Sequence, residues 1–221
     1  MVMRKLTREE FDERVDFFDK MACSSWIVEI QKQMLSTLGS WDHLRVLDIG
    51  CGTGRLLHRG ASEKSRLTGI DLSPLTIKRA QALAKEVIPD TDVTYYVADA
   101  ESLPFSDNSY DLVLCSCLLF LMPAPEKVVR EMKRVLTTSG RVALLNPSDE
   151  LTLDISLVLS EEWQLDRTER EALIQWGRIA EKRHRFGAYE IKALLEKHGF
   201  RDVLSSKVKQ NIGLITIAYA E

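Results

Sequence analysis

The 221-residue chain is poor in several features that would settle its class early. Its four cysteines, Cys23, Cys51, Cys115 and Cys117, form no C-x-x-C pair and have no clustered histidines beside them, so neither a metal site nor a disulfide framework is expected. Cysteine here reads as packing or loop chemistry. No apolar run approaches the roughly 20 residues of a membrane span. The longest, Leu112 to Met122, is interrupted by Ser116. The start, MVMRKLTREEFDERVDFF, is charged every few positions and lacks a signal-peptide core, which leads us to expect a cytoplasmic protein without membrane insertion. Nor is there a cationic excess: 30 Lys+Arg against 33 Asp+Glu give −3, so no overall field recruits nucleic acid.

What remains is 45% apolar and 29% charged, enough to bury a sizeable core and far from the disordered corner of composition. The length suits one domain with an elaboration. Apolar spacing at Phe11, Val15, Phe18 and Ala22, then Ile27, Ile30, Met34 and Leu38, predicts two amphipathic helices in the first forty residues, the second closed by Gly39. From there β-rich runs (45–49, 66–70, 93–97, 111–115, 141–145) alternate with helical patterns (73–87, 126–136), the signature of βαβ units. Near the end, a helix over 189–198 is followed by runs 202–208 and 212–219 with only three residues between them. That gap is too short for a crossover, so these two strands form an antiparallel hairpin.

The expected fold is therefore α/β, a doubly wound, mostly parallel seven-stranded sheet of Rossmann-like form. It carries an antiparallel C-terminal hairpin strand, N-terminal helices and a helical insertion before the last helix. One domain is expected over 1–221: an N-terminal helical cap (1–40), a cofactor-binding core (41–146), a helical lid (147–187) containing Trp163 and Trp176, and the C-terminal helix and hairpin (188–221).

The most informative stretch is Val46-Leu47-Asp48-Ile49-Gly50-Cys51-Gly52-Thr53-Gly54-Arg55. A buried strand runs into a loop with glycine at every second position, where backbone can turn tightly and approach a ligand without interfering Cβ atoms. Asp71 ends the second strand, placed to accept two hydrogen bonds from vicinal ribose hydroxyls. Asp99 ends the third, placed to accept from an exocyclic adenine amine. All three features fall at the carboxyl ends of strands, where open parallel sheets bind ligands, and together they outline an adenosine pocket. Each acid alone could equally serve as an N-cap or turn residue. The spacing is G-x-G-x-G, with Arg55 next, rather than the G-x-G-x-x-G of dinucleotide sites, so a pyrophosphate fits poorly.

From Leu44 to Tyr219 the chain resembles the class I S-adenosylmethionine-dependent methyltransferases, in particular the small type that includes ubiquinone- and menaquinone-biosynthesis enzymes. Val46–Gly54 looks like the family's first motif and Gly69–Ser73 like its acidic second motif. Asp99-Ala100-Glu101-Ser102-Leu103-Pro104-Phe105 followed by Ser109-Tyr110-Asp111-Leu112-Val113 is similar to a third. The resemblance implies S-adenosyl-L-methionine as cofactor, with Gly50, Gly52 and Gly54, in a loop that also holds Asp48 and Cys51, behind the methionine portion. Asp71 would hold the ribose, Leu72 would pack on the adenine, and Asp99 with the Ala100 amide would read its edge. Cys115 or Ser116 would lie near the methionine amino group, and Phe18 would close the pocket. A core contact is the competing role for Phe18, and simple burial the competing role for Cys115.

Two departures stand out. The histidines the family often carries after its fourth strand are missing from Leu118-Leu119-Phe120-Leu121-Met122, and Thr137-Thr138-Ser139-Gly140 replaces the usual P-G-G turn. Of His43, His58, His184 and His198, only His184 is placed in the lid, as a candidate base against a solvated helix end. The expected activity is direct in-line methyl transfer to a small-molecule acceptor by a monomer or homodimer. The alternatives are a non-catalytic S-adenosylmethionine-binding regulatory subunit, an aminopropyl transferase and an NAD-dependent oxidoreductase.

Overall fold

A computed structural model describes residues 3–221. The expected strands appear as β1 (Arg45–Ile49), β2 (Arg66–Asp71), β3 (Asp92–Val97), β4 (Tyr110–Ser116) and β5 (Leu136–Pro147), with β6 (Phe200–Val208) and β7 (Gly213–Ala220) closing the chain. They form one sheet in the order β3-β2-β1-β4-β5-β7-β6. The first five are mutually parallel, and β7 inserts antiparallel between β5 and β6.

The central strands are apolar throughout because helices cover both faces. Val46, Leu47 and Ile49, Leu112 to Cys115, and Val142 to Leu145 are all fully buried. At the edges the pattern loosens, and Tyr96 and Leu204 stay exposed. The 137–140 segment, expected as a turn, lies inside β5. It absorbs a register shift in which Tyr110 pairs with Leu136 but Leu112 with Arg141.

The helices follow their punctuation. After β1 comes α4 (Arg55–Gly60); α5 (Pro74–Val87) has Pro74 in its first turn and Ser73 as N-cap, accepting from the Thr76 amide at 3.0 Å. In α6 (Pro125–Val135), Val128, Val129, Met132 and Val135 repeat at helical spacing and are buried. Beyond β5 lie α7 (Leu153–Glu162) and α8 (Arg167–Ala180), then α9 (Ala188–Glu196).

The N-terminal region corrects the expectation of two helices: among the described residues there are three, α1 (Arg8–Asp12), α2 (Val15–Cys23) and α3 (Ser25–Leu38). Local hydrogen bonding divides the first periodic stretch. A Thr7/Glu10 capping box starts α1, and the chain turns again at Glu13 and Arg14 before α2 begins. Gly39 does close α3, at φ +70.

α8 is joined to this N-terminal layer by Trp176, which stacks on Trp26 of α3 with ring centroids 5.1 Å apart, both rings buried. Removing such a ring leaves a large cavity. Trp176→Ala is expected to cost about 3–5 kcal/mol in denaturant unfolding; a loss below about 1 kcal/mol would show that this pair does not hold the layers together.

Candidate functional site

The strand order reverses direction between β1 and β4, so the loops leaving their carboxyl ends run to opposite sides and open a crevice. On one wall is the glycine loop. Its Gly50 and Cys51 amides both donate to the Ile70 carbonyl at 2.8 Å, which presses the loop against β2. Gly50 has φ +72, and a Cβ there would come within 2.8 Å of Leu118 on the opposite wall; at Gly52, φ +54, a Cβ would meet nothing within 4 Å. The crevice thus needs one glycine for clearance and another only for its backbone turn.

Two hollows fill the crevice. One, of about 110 Å³, is lined by Asp48, Gly50, Cys51, Gly52, Ser116 and Phe18 among others. A narrower one, of about 40 Å³, is lined by Leu72, Ala98, Asp99, Ala100 and Lys5. Asp71 and Gly50 border both. The structure therefore brings together most residues expected at an adenosine site.

It leaves three of the expected residues outside. Gly54, at φ +81, abuts the Tyr95 hydroxyl and His58 and serves helix packing. Cys115 is fully buried among core side chains. His184 lines none of the hollows described here; its ring stacks on Phe186 at 5.4 Å.

Asp71 accepts from the Ser73 amide at 2.9 Å and the Gly52 amide at 3.1 Å, so backbone donors fix its orientation while lone pairs remain for a diol. Burial nevertheless raises its pKa to about 6 against those donors. Asp48 is more strained electrostatically. It is buried in the middle of the sheet, its Oδ1 has no partner among the described residues, and burial together with the Asp71 charge lifts its pKa to about 7. An orphaned acid beside a second acid, at the floor of a hollow, is a place for a positively charged ligand group.

Asp99 lies two residues beyond β3, bridged to Ser102, rather than at the strand end. Lys5 Nζ already engages both its oxygens at 2.6 and 2.7 Å and also reaches Glu101 at 2.8 Å. Burial opposes the Asp99 charge, but Lys5 and the Glu101 amide outweigh it and hold the pKa low. An adenine amine would have to share Asp99 with that ammonium or displace it.

Sequence reasoning missed both Lys5 and the anchor at Asp19. The Asp19 carboxylate accepts from Thr53 Oγ1 at 2.6 Å and Arg55 Nε at 3.0 Å, and pairs with Arg79 at 2.9 Å. It ties α2 to the glycine loop. The available signal was its position four residues after Val15, an acid on the apolar stripe. Lys5 gave no comparable signal, because its partner is 94 residues away.

A third cavity, of about 550 Å³, adjoins the first and shares Phe18, Met21, Cys117 and Leu121 with it. Trp176, Ile179, Lys182 and Arg183 from α8 and the segment after it complete its outer wall.

Fold, crevice and acidic strand ends together define a class, the class I S-adenosylmethionine-dependent methyltransferases of Rossmann-like form. The profile of the family described as Methyltransferase domain matches residues 40–197, and the chain belongs to that family. Among curated relatives it is 40% identical over 101 residues to 27-O-demethylrifamycin SV methyltransferase of Amycolatopsis mediterranei (strain S699), covering 45% of this chain and 37% of that one. It is 27% identical over 185 residues to O-methyltransferase resE of Aspergillus sclerotiorum, covering 83% and 63%. The matches thus span from about a third to under two thirds of these relatives' lengths. A magnesium protoporphyrin IX methyltransferase from Synechocystis PCC 6803 with bound SAH superimposes with TM-score 0.71 at 18% identity over 97% of both chains. None of the three is by name a ubiquinone or menaquinone enzyme; what they share with this chain is the class.

The donor set fits S-adenosylmethionine on the structure's own terms: a diol acceptor in Asp71, an open backbone at Gly52 and the orphaned Asp48 oxygen. A carboxyl whose folded-state pKa is raised contributes stability that is full below about pH 4 and is lost as pH rises through the folded value. The ligand-free Asp48→Asn variant should therefore gain in Tm relative to the parent between pH 5 and 8. A Tm difference that stays constant across that range would contradict a protonated Asp48 in the folded protein.

Proposed function

We propose that this chain transfers the methyl group of S-adenosylmethionine to a small molecule held in the 550 Å³ cavity. One observation carries this reading: Phe18, Met21, Cys117 and Leu121 border both the cofactor hollow and that cavity, so the two lie side by side with only these side chains between them. A concave, largely apolar volume of this size suits a small organic acceptor rather than a macromolecular surface. The N-terminal helices and the 147–187 insertion act as its cap and lid.

When bound, S-adenosylmethionine supplies a methyl carbon on a positive sulfur, to which an acceptor lone pair bonds as the carbon–sulfur electron pair withdraws onto sulfur, leaving a thioether. The chain's task is orientation and exclusion of water, effects that in good intramolecular systems are worth roughly 7–11 kcal/mol. Asp71 and Asp99 fix the nucleoside, and Asp48 favours the cationic portion. Phe18, Met21 and Leu121 form an apolar collar at the junction. No histidine or carboxylate lines the acceptor cavity among the described residues, and burial pushes the Cys117 thiol up to about 12, so it is not a thiolate near neutrality. The wall of this cavity therefore offers no general base, which suits an attacking atom whose lone pair is already free.

Calorimetric titration with S-adenosylhomocysteine and with NAD tests the cofactor assignment. The thioether should bind and NAD should not. Asp71→Ala should weaken thioether binding about 10- to 100-fold, the loss of charge-assisted hydrogen bonds worth about 1.5–3 kcal/mol. NAD binding without thioether binding would overturn the reading, and thioether binding with no turnover across an acceptor library would favour a regulatory subunit.

A further inference from the structure

The charged side chains that line the acceptor cavity are all of one sign. Arg4, Arg14, Lys182 and Arg183 line it, and no Asp or Glu does among the described residues. Of these, Arg4 is already neutralised, held by both oxygens of Glu10 at 2.6 and 2.7 Å. Arg14 donates to the Glu10 carbonyl rather than to a carboxylate, and Lys182 has no side-chain partner among the described residues.

Arg183 is the informative one. It is half-buried, and its Nη1 donates to the Arg4 carbonyl at 2.9 Å and the Leu121 carbonyl at 3.4 Å, which fixes the plane of the guanidinium. Its Nε and Nη2 have no protein partner among the described residues, leaving the two-pronged edge that matches a carboxylate. Burial and the nearby Arg4 charge pull its pKa down, and the Glu10 charge offsets them only in part. A partly desolvated guanidinium with an idle fork is stabilised by an anion that enters beside it.

The rest of the wall is apolar, built from Phe17, Phe18, Phe120, Trp176 and Ile179. Building on the reading above, we propose that the acceptor is a hydrophobic organic acid, bound as its carboxylate on the free edge of Arg183 with its apolar body among these aromatic rings. Lys182 and Arg14 add long-range attraction without a fixed geometry. The cationic wall favours an acceptor that carries its carboxylate in the ionised form. It disfavours cationic amines, which would meet four positive side chains against the single Glu10 carboxylate.

The test is calorimetric binding of 1-naphthaleneacetate, 1-naphthaleneacetamide and 1-naphthylmethylamine to the protein saturated with S-adenosylhomocysteine. Parallel titrations with decanoate and decanamide vary the apolar body. The acids should bind at least tenfold more tightly than the matched amides, and the amine most weakly. Arg183→Met should abolish the preference for acid over amide, and Arg183→Lys, which keeps charge but not the fork, should retain part of it. S-adenosylhomocysteine affinity, measured on each variant, should stay at the parent's value and reports that the variant is folded. Equal binding of acid and amide, failure of every acid to bind the loaded protein, or an acid preference that survives Arg183→Met would overturn the proposal while leaving the methyltransferase reading intact. Failure of S-adenosylhomocysteine to bind the parent protein would instead remove the reading on which the proposal rests.

Discussion

A parallel strand buried on both faces can meet a ligand only where it ends, and in this sheet the ends that matter are those of β1 and β4, whose following loops diverge. The glycine loop, the Asp71 carboxylate and the Ser116–Leu118 wall all gather there because the backbone has nowhere else to open. The same constraint places Asp48, an acid in a central strand, at the floor of the crevice. Its burial has a cost, which a bound cation offsets.

Around this opening the chain builds two closures of different character. On the cofactor side the closure is ionic: Asp19 draws Thr53, Arg55 and Arg79 together, and Lys5 bridges Asp99 and Glu101. Buried carboxylates held by several donors fix orientation more than they add net stability. On the acceptor side the closure is apolar, with the Trp26–Trp176 stack joining α3 to α8 and the aromatic residues of α2 facing the cavity. The cofactor side is thereby held by fixed ion pairs, while the neighbouring cavity is bounded by apolar side chains with cationic ones among them.

Much of the sheet was legible from periodicity alone. β1 matches its expected span residue for residue, and the short 209–211 connection required the terminal hairpin. The glycines and Asp71 were legible because their chemistry depends on neighbours in sequence, a turn and a strand end. The break between α1 and α2 was not, since apolar spacing continues across it while the backbone turns at Glu13 and Arg14 and ends the first helix early. His184 looked plausible as a base only while its surroundings were unknown; stacking on Phe186 gives it a different place.

The sequence by itself determined the order of strands and helices, the cofactor loop and the two acids after it. Those features rest on short-range sterics and on a repeat of apolar residues that any sheet of this kind must satisfy. Only the tertiary structure decided what closes over the site, because the closing contacts join residues far apart in the chain: Lys5 to Asp99, Ser25 to Glu169, Arg183 to the Arg4 carbonyl. No local pattern encodes such pairs. They form when folding brings the N-terminal segment against distant loops and helices at the rim of the sheet.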